Sequence, residues 1–197
     1  MLEAIRLYIT QSYLELIAVI LSIAGVWLTA KEKVINWPIA IIACAIYVYI
    51  FFKDNLFGDA SLQIFYVIIS FYGWYEWLYG GKNHKELFIS RTPLKLLIVL
   101  ALISIPLSIC LGFIISYTKS TVPYWDGITT GLSLLGTWMM AKKYIEHWLV
   151  WIITDILYIA LYIIKELYLT AVLSLIFTLL AVYGYYAWKK QITVSFA

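Results

Sequence analysis

Apolar stretches of 16 to 24 residues alternate with short polar breaks along most of this chain. A helix needs about 20 mostly apolar residues to cross the hydrocarbon core of a bilayer. The stretches that approach or exceed this length cover residues 14–30, 37–52, 60–79, 94–117, 125–141, 148–164 and 168–188. The pattern therefore predicts an all-α integral membrane protein with seven transmembrane helices.

The overall composition agrees with lipid as the main solvent. Hydrophobic residues make up 64% of the 197 positions and charged residues 13%, whereas an ordinary soluble domain has roughly 45–50% and about 25%. A soluble fold of this size could not bury so much apolar surface, so that class is excluded. We expect the lipid bilayer to be a partner of the chain and expect no nucleic acid among its partners.

The basic residues are divided unequally between the two sides that seven spans would define. Four lie before the first span and in the second, fourth and sixth loops: Arg6, Lys53, Lys119 and Lys165. Ten lie in the other loops and the tail: Lys31, Lys33, Lys82, Lys85, Arg91, Lys95, Lys142, Lys143, Lys189 and Lys190. Because Lys and Arg are enriched in cytoplasmic loops, we expect the N-terminus outside and the C-terminus in the cytoplasm.

An internal similarity relates the two ends of the chain. When the sequence is shifted by 111 positions, Glu15–Trp77 aligns with Asp126–Trp188 without a gap, and about 18 of the 63 pairs are identical, Trp and Gly pairs among them. Such self-similarity is the signature of duplication. It predicts a 3+1+3 architecture within a single membrane domain, 1–197, with repeat one at 14–79, a linker helix at 94–117 and repeat two at 125–190. Parallel repeats of this kind occur in transporters.

The clearest candidate site lies in the sixth span. Trp148, Trp151 and Asp155 have the spacing i, i+3 and i+7, which places two indoles and a carboxylate on one helix face. Tyr158 continues that face. Ionisable residues inside a span are costly and functional by default, and this set suits a flat, cationic, hydrogen-bonding ligand. The alternative is a structural Asp155 bonded to a neighbouring helix, with a Trp pair that only packs.

The first repeat differs at the equivalent positions. Trp37 is retained there as a candidate contact, but Ala40 and Cys44 stand where the sixth span has its second indole and its carboxylate. This asymmetry favours a single site, placed away from the axis that would relate the two repeats, over two equivalent sites.

Three other polar residues are weaker candidates: Gln63, Asp126 and Glu76, the last of which is interpreted as part of an aromatic belt at the membrane interface. Gln63, early in the third span, could bond either to a ligand or to a neighbouring helix. Asp126, at the start of the fifth span, is interpreted as an N-cap. His84 and His147 fall in predicted loops and are interpreted as solvated residues.

The sequence contains no motif that favours an enzyme. It has no P-loop, zinc signature, nucleophile elbow or glycine-rich nucleotide loop, and Cys44 and Cys110 are isolated within apolar stretches. We therefore expect no catalytic residue, metal site or cofactor. Two functional classes remain: a transporter, and a non-transporting component such as a sensor or an assembly subunit. The second class would need a recognition domain or long loop, and none is apparent.

From about Leu14 to Lys190 the chain resembles the PnuC-type vitamin transporters. The resemblance rests on three segments: Trp148-x-x-Trp151-x-x-x-Asp155, Tyr72-Gly73-Trp74-Tyr75-Glu76-Trp77 and Leu167-Tyr168-Leu169-Thr170-Ala171. It implies a bundle similar to the SWEET sugar transporters and a homotrimer. It also implies facilitated diffusion of a small vitamin across the bacterial inner membrane.

The resemblance also implies roles for the candidate residues. Trp148 and Trp151 would sandwich the vitamin ring, Asp155 would bind its charge or a hydroxyl, and Gln63 would add a hydrogen bond. Riboside carriers of the family typically have Asn where this chain has Asp155, and some branches carry thiamine. Nicotinamide riboside and thiamine both contain a cationic heteroaromatic ring, so a carboxylate is compatible with either substrate.

Overall fold

The computed structural model describes residues 2–53, 56–118 and 120–195. These residues form seven α-helices: α1 Leu2–Ala30, α2 Asn36–Lys53, α3 Phe57–Tyr79, α4 Leu94–Ile115, α5 Pro123–Ala141, α6 His147–Ile164 and α7 Tyr168–Ser195. A short 3₁₀ turn, Lys82–His84, lies between α3 and α4. Each predicted span coincides with one helix, and the all-helical prediction is confirmed. Lys119, one of the basic residues used for orientation, lies outside the described residues.

Within the described residues, five helices are long and apolar enough to cross a membrane. The five segments are Tyr13–Ala30, Asn36–Lys53, Leu94–Ile115, His147–Ile164 and Tyr168–Ile192. The other two long helices, α3 and α5, have 23 and 19 residues. Their lower hydropathy reflects polar side chains, which in α5 include several hydroxyl groups.

The chain divides into two compact units, Met1–Glu86 and Leu87–Ala197. In the first unit, α2 packs against α1 and α3. In the second unit, α5 packs against α4 and α6, and α6 packs against α7. The candidate residues of the sixth span therefore lie on a helix with two long neighbours, α5 and α7.

A tryptophan lying on a glycine joins two helices of the first unit. Trp37 of α2 covers Gly73 of α3 so closely that an added Cβ would stand 2.3 Å from the ring. Trp37 also meets Trp77 edge to face, with ring centroids 5.5 Å apart. Both indoles are 0% exposed. The missing glycine side chain lets the α3 backbone approach the ring, and the edge-to-face pair adds a favourable aromatic contact.

The second unit contains the same arrangement 111 residues later. Trp148 of α6 covers Gly184 of α7, where an added Cβ would stand 2.5 Å from the indole. Trp148 meets Trp188 edge to face at 5.6 Å between ring centroids. This packing fixes α6 against α7.

The loop between α1 and α2 reverses the chain through a left-handed residue. Glu32 has φ of 56°, and Lys33 N donates to Leu28 O at 2.9 Å. The Lys33 carbonyl oxygen then accepts hydrogen bonds from both Asn36 Nδ2, at 2.8 Å, and Asn36 N, at 3.0 Å.

The loop between α5 and α6 has the same geometry. Lys143 has φ of 51°, and Tyr144 N donates to Met139 O at 3.0 Å. His147 Nδ1 lies 2.7 Å from Tyr144 O, in the place that an asparagine takes in the first unit. His147 is 0% exposed, so its interpretation as a solvated loop residue is wrong: it begins α6, and Trp148 and Trp188 cover its ring.

Small residues bring α4 and α5 into backbone contact. An added Cβ at Gly127 would stand 2.4 Å from Gly112 N, and one at Gly131 would stand 2.5 Å from Ser108 Oγ. Both helices thus present small residues four positions apart, a spacing that lets membrane helices approach closely. The contact fixes one side of α5 and leaves its other side to α6.

Candidate functional site

The side of α5 that carries its hydroxyl groups is buried. Thr129, Ser133 and Thr137 lie four residues apart and are all buried. Ser133 Oγ donates to Thr129 O, and Thr137 Oγ1 donates to Ser133 O, each at 2.8 Å. These hydroxyl hydrogens are used within the helix, so the oxygens remain as acceptors.

Tyr158 of α6 joins this hydroxyl row. Its Oη lies 3.2 Å from Ser133 Oγ. Because the Ser133 hydrogen is donated to Thr129 O, the phenol hydrogen of Tyr158 is donated to Ser133. A hydroxyl has one donor and two acceptor sites, so the Tyr158 oxygen can still accept a hydrogen bond from a ligand.

Asp155 lies one turn before Tyr158 on α6. Its side chain is only 4% exposed, and among the described residues it has no hydrogen-bond or ion-pair partner. Burying an unpaired carboxylate is costly unless a cation or donors compensate it. The α5–α6 seam, which we define by Ser133, Gly136, Trp151, Asp155 and Tyr158, therefore offers a carboxyl group whose charge a cationic ligand would compensate, together with hydrogen-bond acceptors.

Trp151 lies at one end of the seam, one helical turn before Asp155. It is half-buried, and its indole packs on α5 at Gly136, where an added Cβ would stand 3.1 Å from Nε1. The structure thus brings three predicted residues, Trp151, Asp155 and Tyr158, to the same pair of helices.

Trp148 and Trp37, the other two tryptophans predicted to contact a ligand, each pack on a glycine of a neighbouring helix. Trp148 is 2% exposed and packs against α7, whereas Trp151 packs against α5. Trp37 occupies the matching place in the first unit. Among the described residues, neither Trp37 Nε1 nor Trp148 Nε1 has a hydrogen-bond partner. Their contact with a ligand stays a prediction.

Gln63 also stays a prediction. It lies half-buried on α3 in the first unit, whereas the seam is formed within the second.

Asp126 is not the N-cap of α5. The helix begins at Pro123 with Val122 as its N-cap residue, because proline needs no backbone donor at the first helical position. The Asp126 carboxylate instead binds Lys165 Nζ at 2.8 and 3.0 Å and accepts a hydrogen bond from Ser120 Oγ. The ion pair ties the start of α5 to the residue that follows α6.

Ser133 and Gly136, the two residues that α5 contributes to the seam, were missed in the sequence. A usable signal was present, since hydroxyl residues four apart in an otherwise apolar span mark one polar helix face. The face of α6 was visible from its spacing, but the helix that covers it was not.

These features define the class: an all-helical, multi-pass membrane protein with a polar seam buried between two of its helices. A family model described as "Nicotinamide mononucleotide transporter" matches residues 12–190. The chain therefore belongs to this family of membrane transporters, and the resemblance to the PnuC-type transporters is confirmed.

Individual relatives agree with this assignment. The nicotinamide riboside transporter PnuC of Escherichia coli (strain K12) is 26% identical over 203 residues, which cover 90% of this chain and 85% of the relative. The protein of that name from Neisseria mucosa is 26% identical over 194 residues, or 92% of this chain and 73% of the relative.

A solved structure has the same fold. The crystal structure of the vitamin B3 transporter PnuC superposes with a TM-score of 0.75 at 22% identity, covering 97% of this chain and 86% of that one.

Proposed function

We propose that this chain carries nicotinamide riboside, a cationic pyridinium nucleoside, across the bacterial inner membrane by facilitated diffusion. Its family and the names of its relatives support a transporter over a sensor or an assembly subunit. The observation that carries the choice of a cationic substrate is the buried Asp155, and the names of the relatives favour nicotinamide riboside among such cations. A pyridinium ring beside this carboxylate would supply the missing positive charge, and Trp151 offers a face for stacking or cation–π contact.

Charge favours the riboside over the mononucleotide that the family description names. A phosphate monoester adds about 1.5 to 2 negative charges at neutral pH, which the Asp155 carboxylate would repel. Lys165, the cation at the end of α6, is already bound by Asp126. The seam therefore suits a cation rather than an anion.

Hydrogen bonding favours a ligand rich in donors. Tyr158 Oη and the Asp155 carboxylate are both acceptors in this arrangement. Ribose hydroxyl groups and a carboxamide can donate to them. Thiamine is the second candidate substrate, because its thiazolium ring is also cationic and because Asp155 replaces the Asn typical of riboside carriers.

We infer that the transporter is a 3+1+3 bundle with seven spans, in which α4 links two copies of a three-helix repeat. The 111-residue sequence offset supports the duplication, and so do the matching Trp–Gly packing and loop hydrogen bonds of the two units. Only the second copy contains a carboxylate at the site, which favours one site per chain. The outside N-terminus, cytoplasmic C-terminus and homotrimer remain part of this proposal.

The test is the substitution Asp155→Asn. If the carboxylate binds a permanent cation, the dissociation constant for nicotinamide riboside should rise roughly 5- to 150-fold, equivalent to about 1–3 kcal/mol for a lost charge-assisted contact. If Asp155 only accepts a hydroxyl hydrogen, the amide oxygen of Asn still accepts and the rise should stay under about tenfold. Isothermal titration of the purified wild type and of Asp155→Asn measures the two dissociation constants.

Cys44→Ser is the matched control, since Cys44 occupies the equivalent position of the first repeat; its affinity should equal that of the wild type. Thiamine and nicotinamide mononucleotide are titrated in parallel. Unchanged riboside affinity in Asp155→Asn, or equal affinity of the wild type for the mononucleotide, would reject the proposed site chemistry. Tighter binding of thiamine would assign the second substrate.

A further inference from the structure

Gly136 is the point at which Trp151 meets α5. An ideal Cβ at this glycine would lie 3.1 Å from Trp151 Nε1, 3.3 Å from Cε2 and 3.4 Å from Cδ1. These distances are shorter than the roughly 3.5–4.0 Å at which carbon atoms pack best. A methyl group at position 136 would therefore push the indole away from α5 by a few tenths of an ångström. The absent side chain sets how closely the ring lies against the helix.

The first unit contains the same glycine without the tryptophan. Gly25 aligns with Gly136, but Ala40 stands where α6 has Trp151. An added Cβ at Gly25 would meet only Ile39 Cγ2 at 3.8 Å, an ordinary van der Waals contact. A side chain at position 136 would therefore crowd an indole, whereas a side chain at position 25 would not.

We propose that Gly136 is a positioning residue that sets the depth of the Trp151 indole and thereby the width of the α5–α6 seam beside Asp155. This inference rests on the proposed function, because it assigns the seam to a flat cationic ring. A methyl group at position 136 would displace the indole from α5, and the ring face that Trp151 offers one turn before Asp155 would move with it.

The test combines Gly136→Ala with the control Gly25→Ala and with Trp151→Phe. Gly136→Ala should raise the dissociation constant for nicotinamide riboside roughly 3- to 10-fold, the scale of holding one side chain off its preferred rotamer. Gly25→Ala should leave it unchanged. In the Trp151→Phe background, Gly136→Ala should raise the dissociation constant by less than about twofold, because the smaller ring no longer reaches the methyl group.

A second readout follows the ring itself in the ligand-free protein. The indole ¹H–¹⁵N resonance of Trp151 is assigned by its loss in Trp151→Phe. It should shift in Gly136→Ala and stay in place in Gly25→Ala. A merely structural role of Gly136 would lower the melting temperature without this shift and without dependence on the residue at position 151.

The inference is overturned if Gly136→Ala binds riboside like the wild type, or if it weakens binding equally in the Trp151 and Phe backgrounds. A wild type that binds no riboside overturns the proposed substrate, and with it the affinity claim. An unmoved Trp151 resonance overturns the packing claim even if the substrate is correct.

Discussion

His147 and Asn36 make equivalent side-chain hydrogen bonds to a loop carbonyl in the two units, one through an imidazole and the other through an amide. Asn36 donates to Lys33 O at 2.8 Å, and His147 Nδ1 lies 2.7 Å from Tyr144 O. For His147 this contact requires the hydrogen on Nδ1, because a carbonyl only accepts. Both side chains are buried, so each bond forms where water cannot replace it.

Removing these donors should destabilise the protein. His147→Phe and Asn36→Leu each remove one buried side-chain hydrogen bond, worth about 0.5–1.5 kcal/mol, although the backbone N–H of the same residue still donates to each carbonyl. The melting temperature in detergent should fall by roughly 1–6 °C for a chain of this size. His84→Phe, at an exposed loop position, should leave it unchanged. A His147→Phe protein with the same melting temperature as the wild type would contradict the structural role of the His147 hydrogen bond.

The crossing of α4 and α5 depends on small residues rather than on apolar burial. Lipid tails are as apolar as leucine, so close packing must replace the hydrophobic effect between membrane helices. The α4 helix is the most apolar of the candidate spans, with mean hydropathy 2.8, yet it meets α5 through Ser108 and Gly112. These contacts fix α5, and α5 in turn carries the hydroxyl row of the seam.

Gly127→Ala should separate α4 from α5. The new methyl group would meet the backbone of Gly112 at 2.4 Å, and backbone cannot rotate aside as a side chain can. We expect a loss of stability of about 1–3 kcal/mol, the usual cost of overpacking, measured by thermal unfolding in detergent. Gly58→Ala is the control, since nothing lies within 4 Å of an added Cβ there. Equal melting of the two variants would show that the crossing tolerates a side chain.

Across the whole molecule, packing and chemistry are distributed differently between the two units. Both contain a Trp–Gly contact and a loop with a left-handed residue. Asp155 and Trp151, in contrast, have Cys44 and Ala40 as their counterparts. The shared Trp–Gly contacts hold helices together, and Trp151 and Asp155 distinguish the seam of the second unit.

Transport by this molecule should follow the electrochemical gradient of its substrate. In proteoliposomes at zero membrane potential, nicotinamide riboside should equilibrate to equal concentrations inside and outside. An inside-negative potential should concentrate the cation, because 100 mV is worth about 2.3 kcal/mol per charge. Tracer uptake at set potassium diffusion potentials measures this. Asp155→Asn should slow uptake and leave the final ratio unchanged.

Accumulation at zero potential, driven by ATP or by a proton gradient, would exclude facilitated diffusion. Protein-free liposomes measure the background leak.

Local patterns in the sequence were sufficient to predict the helices and the face of α6 that carries the candidate residues. Bilayer thickness fixes the length of an apolar span, and helical periodicity fixes which residues share a face. Both are local properties, so the apolar stretches and the spacing of Trp151, Asp155 and Tyr158 were sufficient. The family resemblance, confirmed by the family match, likewise depends only on residues in sequence order.

The helix that covers each face could be known only from the packing of the folded chain. Trp148 and Trp151 share a face of α6, yet one packs on Gly184 of α7 and the other on Gly136 of α5. The burial of His147 was decided in the same way. Periodicity gives the direction of a side chain along its own helix, but the identity and distance of the neighbour depend on where glycines permit close approach. That is information about pairs of helices, which no single stretch of sequence contains.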